Sequence, residues 1–104
     1  MKKYNLFVID AAKIDIKEIR LHYKLIQKEL GKRFTADLQN TLLSIERLPT
    51  AFAIRYENIR FANLDIFPFI IQFFIKDDKS IIVIAILYNG RDPEYLKSQS
   101  ILRV

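Results

Sequence analysis

The sequence predicts an α+β fold: an N-terminal strand, an antiparallel helical hairpin, and then a three- to four-stranded antiparallel sheet packed on the helices. Three observations carry this expectation. Residues 12–45 place apolar side chains at steps of three and four, the spacing that gives a helix one apolar face. Residues 67–87 hold two dense runs of Ile, Val and Phe parted by a polar Lys-Asp-Asp-Lys turn, the composition of paired strands. Helical and strand signals fall in separate blocks rather than alternating, so the helices pack together on one face of an antiparallel sheet.

The opening strand is Lys3–Ile9, ended by Asp10, which is placed to cap the helix that follows. On that helix Ala12, Ile16, Ile19, Tyr23, Ile26 and Leu30 form one apolar stripe, and Gly31 supplies a stop. A second helix starts near Gly31–Phe34 and turns Phe34, Leu38, Leu42 and Ile45 inward until Pro49 ends it. So short a link predicts an antiparallel hairpin. The strands expected next are Phe52–Tyr56, Ile59–Leu64, Phe67–Ile75 and Ile81–Leu87, with Asp77 and Asp78 marking the last turn. In the third of these, Phe67, Phe69, Ile71 and Phe73 alternate with Ile70, Gln72 and Phe74, so both faces of the sheet need cover. The hairpin covers one face; a partner peptide or a curl of the sheet itself covers the other.

A chain of 104 residues has room for one core and is read as a single domain, residues 1–104. Its longest apolar run, Ile66–Ile75, is broken by Pro68 and Gln72 and reaches only about half of the ~20 residues a membrane helix needs. The first ten residues, MKKYNLFVID, carry too short an apolar stretch for a secretory signal. No membrane association and a cytoplasmic location are therefore expected. Without cysteine there is neither a disulfide nor thiolate chemistry. His22, the single histidine, has no cysteine or second histidine at ligand spacing, and two glycines make no phosphate-cradling loop. No metal and no cofactor are expected. The net charge of +5 favours an acidic partner: nucleic acid, ribosome or acidic peptide. Lys13, Lys17, Arg20, Lys24 and Lys28 line one side of the first helix, either as a solvated face or as a contact for such a partner.

Word order in the C-terminal half is more specific than its composition. Phe67-Pro68-Phe69, Ile71 and Phe73, then a polar turn, then Ala85, Ile86 and Arg91-Asp92-Pro93 follow Leu30-Gly31-Lys32-Arg33-Phe34, Leu38, Ile45, Pro49 and Arg60. Ahead of them stand Tyr4, Ala12, Asp15, Ile16, Glu18, Ile19 and Tyr23. In this order and spacing the set resembles the RelE/ParE superfamily of toxins from type II toxin–antitoxin modules, over nearly the whole chain. The closer likeness is to the ParE-like members, which include plasmid stabilisation proteins.

That resemblance implies a RelE/ParE-like fold and a growth-inhibiting toxin held in a hetero-oligomer by a cognate antitoxin. ParE-like members bind and poison DNA gyrase without chemistry of their own, whereas RelE-like members cut messenger RNA on the ribosome without a metal. Where a RelE-like protein carries an arginine on its third strand, this chain has Ile70, which favours gyrase as the target. The ribosome-dependent endonuclease remains the alternative, and a non-toxic antitoxin-binding protein a third. Target contacts are expected from Arg60, Tyr88, Arg91, Asp92, Tyr95 and Lys97, within a tail that runs to Val104. Were the protein a nuclease, Arg60, Tyr88, Arg91 and Tyr95 would be its catalytic candidates. Phe69, Ile71 and Phe73 are the expected antitoxin contacts. Each has a plainer reading as well: Arg91-Asp92-Pro93 as a surface turn with paired charges, Arg60 as a solvated strand cation, and the tyrosines as caps on the core.

Overall fold

The structure, a computed structural model, describes residues 4–104; Lys3, the first residue of the expected opening strand, lies outside them. The elements run β1 (Asn5–Val8), α1 (Asp10–Ile26), α2 (Lys28–Arg47), β2 (Ile54–Tyr56), β3 (Ile59–Asn63), β4 (Phe69–Ile75), β5 (Ser80–Tyr88) and α3 (Pro93–Arg103). The strands form one sheet in the order β1-β5-β4-β3-β2. The pairs from β2 to β5 are antiparallel, as expected, while β1 lies parallel to β5 with Val8 opposite Val83.

The helical hairpin packs on one face of this sheet. Ala12 of α1 and Phe34, Leu38 and Ile45 of α2 meet Ala62, Ile71, Phe73, Ile81, Val83 and Ile86 in the main core. Phe34, Tyr23, Phe67 and Phe69 make an aromatic cluster within it, with Tyr23 and Phe67 centroids 4.8 Å apart edge to face, a favoured geometry for rings. Asp37, buried on α2, ties the approach to β4 into this core. Its Oδ2 accepts from the backbone N–H groups of Ile66 (3.0 Å) and Phe67 (2.8 Å).

The hairpin breaks earlier than its glycine suggested. Gln27, extended at φ −159° and ψ 128°, separates the helices, and Gly31 lies buried inside α2. A Cβ on Gly31 would stand 3.1 Å from the Cβ of Lys24 and 3.3 Å from the carbonyl oxygen of Arg20. The glycine therefore serves the close approach of the helices rather than a stop, and Leu30 belongs to α2. Asp10 likewise is not the cap: Ile9 holds that position, and Asp10 supplies negative charge to the first turn of α1.

The second face of the sheet has a cover that neither sequence alternative named. Residues 93–103, expected as a tail, form α3, whose Leu96 packs with Ile70, Ala85 and Leu87 in a second apolar cluster flanked by Phe61 and Tyr95. A bulge in β5 makes this possible. Gln72 pairs with Ala85 and Phe73 with Val83, which leaves Ile84 unmatched and shifts the face parity along the strand. Val83 thus faces the hairpin while Ala85 faces α3.

Polar contacts seat α3. The buried Gln72 donates through Nε2 to the Leu96 carbonyl (3.0 Å), and its Oε1 accepts from the Ser100 hydroxyl (2.6 Å). Farther along, Arg103 forms a partly buried ion pair with Asp15 of α1 and donates to the Ile84 carbonyl (3.0 Å). Asp15 in turn accepts from the Ile86 N–H (3.0 Å). These two side chains satisfy backbone groups of β5 just past Val83, where its pairing with the four-residue β1 ends.

Candidate functional site

On the α3 side of the sheet lies an open groove of about 540 Å³. The β2–β3 hairpin forms one wall with Arg55, Tyr56, Phe61 and Asn63; Ile70 and Leu96 form the apolar floor; Asn89, Arg91, Pro93, Glu94 and Lys97 form the other wall. The hairpin turn places Glu57 at φ 48°, a left-handed conformation that costs a residue with a side chain.

Cations and rings are paired throughout this groove. The Arg91 guanidinium carbon stands 3.5 Å from the Tyr95 ring centroid, that of Arg55 4.9 Å from Phe61, and the Lys97 ammonium 5.8 Å from Tyr56. Such stacking holds a cation over a surface without neutralising it. Three cations thus line the groove against the single carboxylate of Glu94. The Tyr56 hydroxyl donates to the Lys97 carbonyl at 3.4 Å, which links the β2–β3 hairpin to α3. Burial pushes the Tyr56 hydroxyl above its ordinary pKa; a hydrogen bond with Ser100 opposes the shift and the charge of Glu57 adds to it. At neutral pH Tyr56 therefore keeps its proton and presents a donor.

The residues expected from sequence fall into separate places. Arg91 and Lys97 line the groove and Tyr95 lies beneath Arg91. Asp92 caps α3, its Oδ1 accepting from the Glu94 N–H at 2.9 Å, with Pro93 in the first turn. Arg91-Asp92-Pro93 is thus a helix start rather than a turn with paired charges. Arg60 is elsewhere. It pairs in register with Phe73, on the hairpin side of the sheet, and donates to the Phe52 carbonyl at 2.6 Å. Tyr88 is also on that side, opposite Phe69 at a ring separation of 6.2 Å, and covers Gly90 so closely that a Cβ there would collide with its ring. Burial raises the pKa of nearby Tyr23, and the charge of Tyr88 raises it further. Of the expected antitoxin contacts, Ile71 and Phe73 are fully buried under the hairpin and Phe69 is partly buried beside them. A partner meeting this surface reaches only Phe69 without displacing a helix.

Arg55, Tyr56 and Phe61 were not among the sequence candidates. For Phe61 the signal was strand parity: it stands opposite Gln72, and Arg60 opposite the apolar Phe73, whereas neighbouring Arg55 and Tyr56 share the groove side because the β2–β3 register shifts between Ile54 and Tyr56. Alternation from a core-facing Phe73 turns Arg60 to the hairpin side and Phe61 to the other.

No protein-family model matches the chain, and no curated protein sequence is significantly similar to it. A solved structure described as the chromosomal ParDE TA system from P. aeruginosa contains a chain of similar fold, with a TM-score of 0.72 at 20% sequence identity. The superposition covers 83% of this chain and 96% of that one. At this identity the likeness is one of fold, and it agrees with the α+β architecture expected from the resemblance to RelE/ParE proteins.

Proposed function

We propose that the protein is the toxin of a type II toxin–antitoxin pair, ParE-like in kind, which binds and poisons DNA gyrase and is neutralised by a cognate antitoxin. The observation that carries this reading is the fold shared with the ParDE chain, 96% of which is covered by the superposition. The groove supplies a means. A protein that poisons by binding needs surface complementarity rather than chemistry, and stacked Arg55 and Arg91 give fixed positive charge for an acidic protein surface or a phosphodiester. In this reading Arg91, Tyr95, Lys97 and Arg55 are the contacts, and Asp92 acts by starting α3.

A second reading, ribosome-dependent cleavage of messenger RNA, draws on the groove as well. Cleavage within an RNA strand requires cations near the phosphate and a group to move a proton. Arg55, Arg91 and Lys97 would take the first role and the protonated Tyr56 hydroxyl the second, with Arg60 and Tyr88 remote from the reaction.

Supercoiling and cleavage-complex formation by purified host gyrase test the first reading, with the folded, antitoxin-free protein titrated in and antitoxin added back. Inhibition that antitoxin reverses supports gyrase poisoning. No effect on gyrase from a preparation that arrests growth when expressed rejects gyrase as target, and cleavage of messenger RNA on purified ribosomes would then select the second reading. Normal growth with abundant folded protein would reject both in favour of a non-toxic antitoxin-binding role.

A further inference from the structure

The turn between β5 and α3 carries the dipeptide Asn89-Gly90. Its backbone is held on either side of the glycine: Asn89 N–H donates to the Pro68 carbonyl at 3.0 Å and Arg91 N–H to the Tyr88 carbonyl at 3.3 Å. Neither Asn89 nor Gly90 has a positive φ. The left-handed backbone that selects Asn-Gly in tight hairpin turns is therefore not what places the pair here. Gly90 has another reason, since the Tyr88 ring lies where its Cβ would be. Asn89 has no such reason. It stands exposed on the wall of the α3 groove, and its carboxamide makes no hydrogen bond among the described residues.

An asparagine ahead of a glycine can react with its own backbone. The Gly90 nitrogen, once it gives its proton to water or hydroxide, attacks Cγ of Asn89 and closes a succinimide ring. The bond from Cγ to Nδ2 breaks, and that nitrogen leaves as ammonia. Water then adds to one of the two ring carbonyls and opens the ring, to aspartate or to isoaspartate. Overall one water is consumed and one ammonia released, with no oxidant or reductant. A side chain on the following residue crowds the attacking nitrogen, and glycine has none. A hydrogen bond would also hold that nitrogen back, and the Gly90 N–H makes none among the described residues. The other asparagines precede larger residues: Asn5 a leucine, Asn40 a threonine, Asn58 an isoleucine and Asn63 a leucine. Asn58 is the informative comparison. It is exposed in the β2–β3 turn as Asn89 is in its own, but the branched and buried Ile59 follows it.

We propose that Asn89-Gly90 is a self-modifying site, at which Asn89 deamidates in the folded protein without an enzyme. The product lies where charge matters. Three cations of the groove now face the carboxylate of Glu94, and conversion adds a second carboxylate to the same wall. Isoaspartate goes further, because its main chain runs through the former side chain and is longer by a methylene. That lengthening falls in the turn that sets Arg91 over Tyr95 and leads into the Asp92 cap of α3. The effect on a target rests on the toxin reading, under which arrested cells do not dilute the protein by division and a slow reaction has time to act. The reaction itself does not depend on that reading.

The test incubates the purified full chain in mildly alkaline buffer at physiological temperature and follows it by peptide mapping, with mass-spectrometric fragmentation that separates aspartate from isoaspartate. Residue 89 is expected to gain the mass of an amide-to-acid exchange, as both isomers, about tenfold or more faster than residue 58. Its rate should rise about tenfold per pH unit, as the population of deprotonated amide does. Asn89→Gln, which would have to close a larger ring, should stay unconverted at an unchanged melting temperature. Conversion of residue 89 no faster than that of residue 58, or conversion only in urea-unfolded protein, would overturn the proposal. For the consequence, fresh protein, aged protein and Asn89→Asp are titrated into the gyrase supercoiling assay. Aged protein and Asn89→Asp are expected to be about fivefold or more weaker than fresh protein, and Asn89→Gln to lose nothing with age. Equal potency of all three would overturn the effect on the groove. Fresh protein without effect on gyrase would reject the gyrase reading, and the mass measurement alone would then decide this proposal.

Discussion

A double-mutant cycle on Gln72 and Ser100 tests how α3 is held on the sheet. Both residues are fully buried, and the 2.6 Å bond from the serine hydroxyl to Oε1 is the side-chain contact between them. Ser100→Ala removes the donor and strands that oxygen, because the amide end of Gln72 is already engaged with Leu96. An unsatisfied buried acceptor costs roughly 2 kcal/mol, which in a domain of this size lowers the melting temperature by about 10 °C. Gln72→Leu has a smaller effect. It replaces a buried polar group by an apolar one of similar size, and the serine hydroxyl can turn fully to the Leu96 carbonyl, already 3.4 Å away. Leucine at 72 should therefore change stability by less than about 1 kcal/mol, and Ser100→Ala in that background should cost close to nothing. Urea unfolding of the four proteins, with m-values compared, gives the coupling directly. If the alanine costs as much beside leucine as beside glutamine, Gln72 does not anchor α3 and the account of this seam is wrong.

Asp37→Ala should destabilise by about 3 kcal/mol, because it leaves the N–H groups of Ile66 and Phe67 without their buried acceptor, and Asp37→Asn by less; denaturant midpoints will rank them. Arg91→Ala should lower stability by no more than about 1 kcal/mol, the worth of an exposed cation over a ring, yet relieve growth arrest on induction. Tyr88→Phe, on the other side of the sheet, should leave the arrest intact, and a Tyr88→Phe protein that no longer arrests growth would move the site away from the α3 groove. Tyr23 and Tyr56 titrate above their ordinary pKa of 10.0. Above pH 10 the unfolded chain therefore ionises first and stability falls as pH rises through the folded values, so Tyr56→Phe should flatten that alkaline decline in melting temperature.

The elements legible in the sequence are those whose burial follows one period. In α1 and α2 the apolar stripe repeats at helical spacing because a whole face of each helix lies on the sheet. Both β4 and β5 read as strands because apolar residues fill both of their faces. The α3 helix lacks such a stripe: Leu96 and Ser100 are its buried residues, and Ile101, Leu102 and Val104 at the chain end face water. Its start was written in Asp92-Pro93-Glu94, an N-cap followed by proline, which also fits a turn. Gly31 misled because a glycine at a helix stop and a glycine at a helix crossing look alike until the neighbouring helix is placed. The site followed the same rule. Arg91, just ahead of the α3 cap, and Tyr95 and Lys97 on α3 were named through the family resemblance, while Arg55 and Tyr56 reach the groove through a bulged β2 register that sequence does not specify.

The two faces of this sheet are secured by different forces, and the groove lies on the face with less apolar surface to hold it. Under the hairpin, aromatic and aliphatic side chains from two helices fill the space, and displacing them would expose the whole main core. On the other side α3 contributes Leu96 to a small cluster and relies on Gln72, Ser100, Arg103 and Asp15 for its position. Hydrogen bonds and a partly buried ion pair fix orientation well but add little net stability when water can replace them. Opening of α3 alone should therefore require less free energy than global unfolding. Arg91 and Lys97 face Arg55 across the groove only while α3 is seated. A target that needs all three cations must bind the seated form, and by linkage it stabilises α3 as tightly as α3 orders the site.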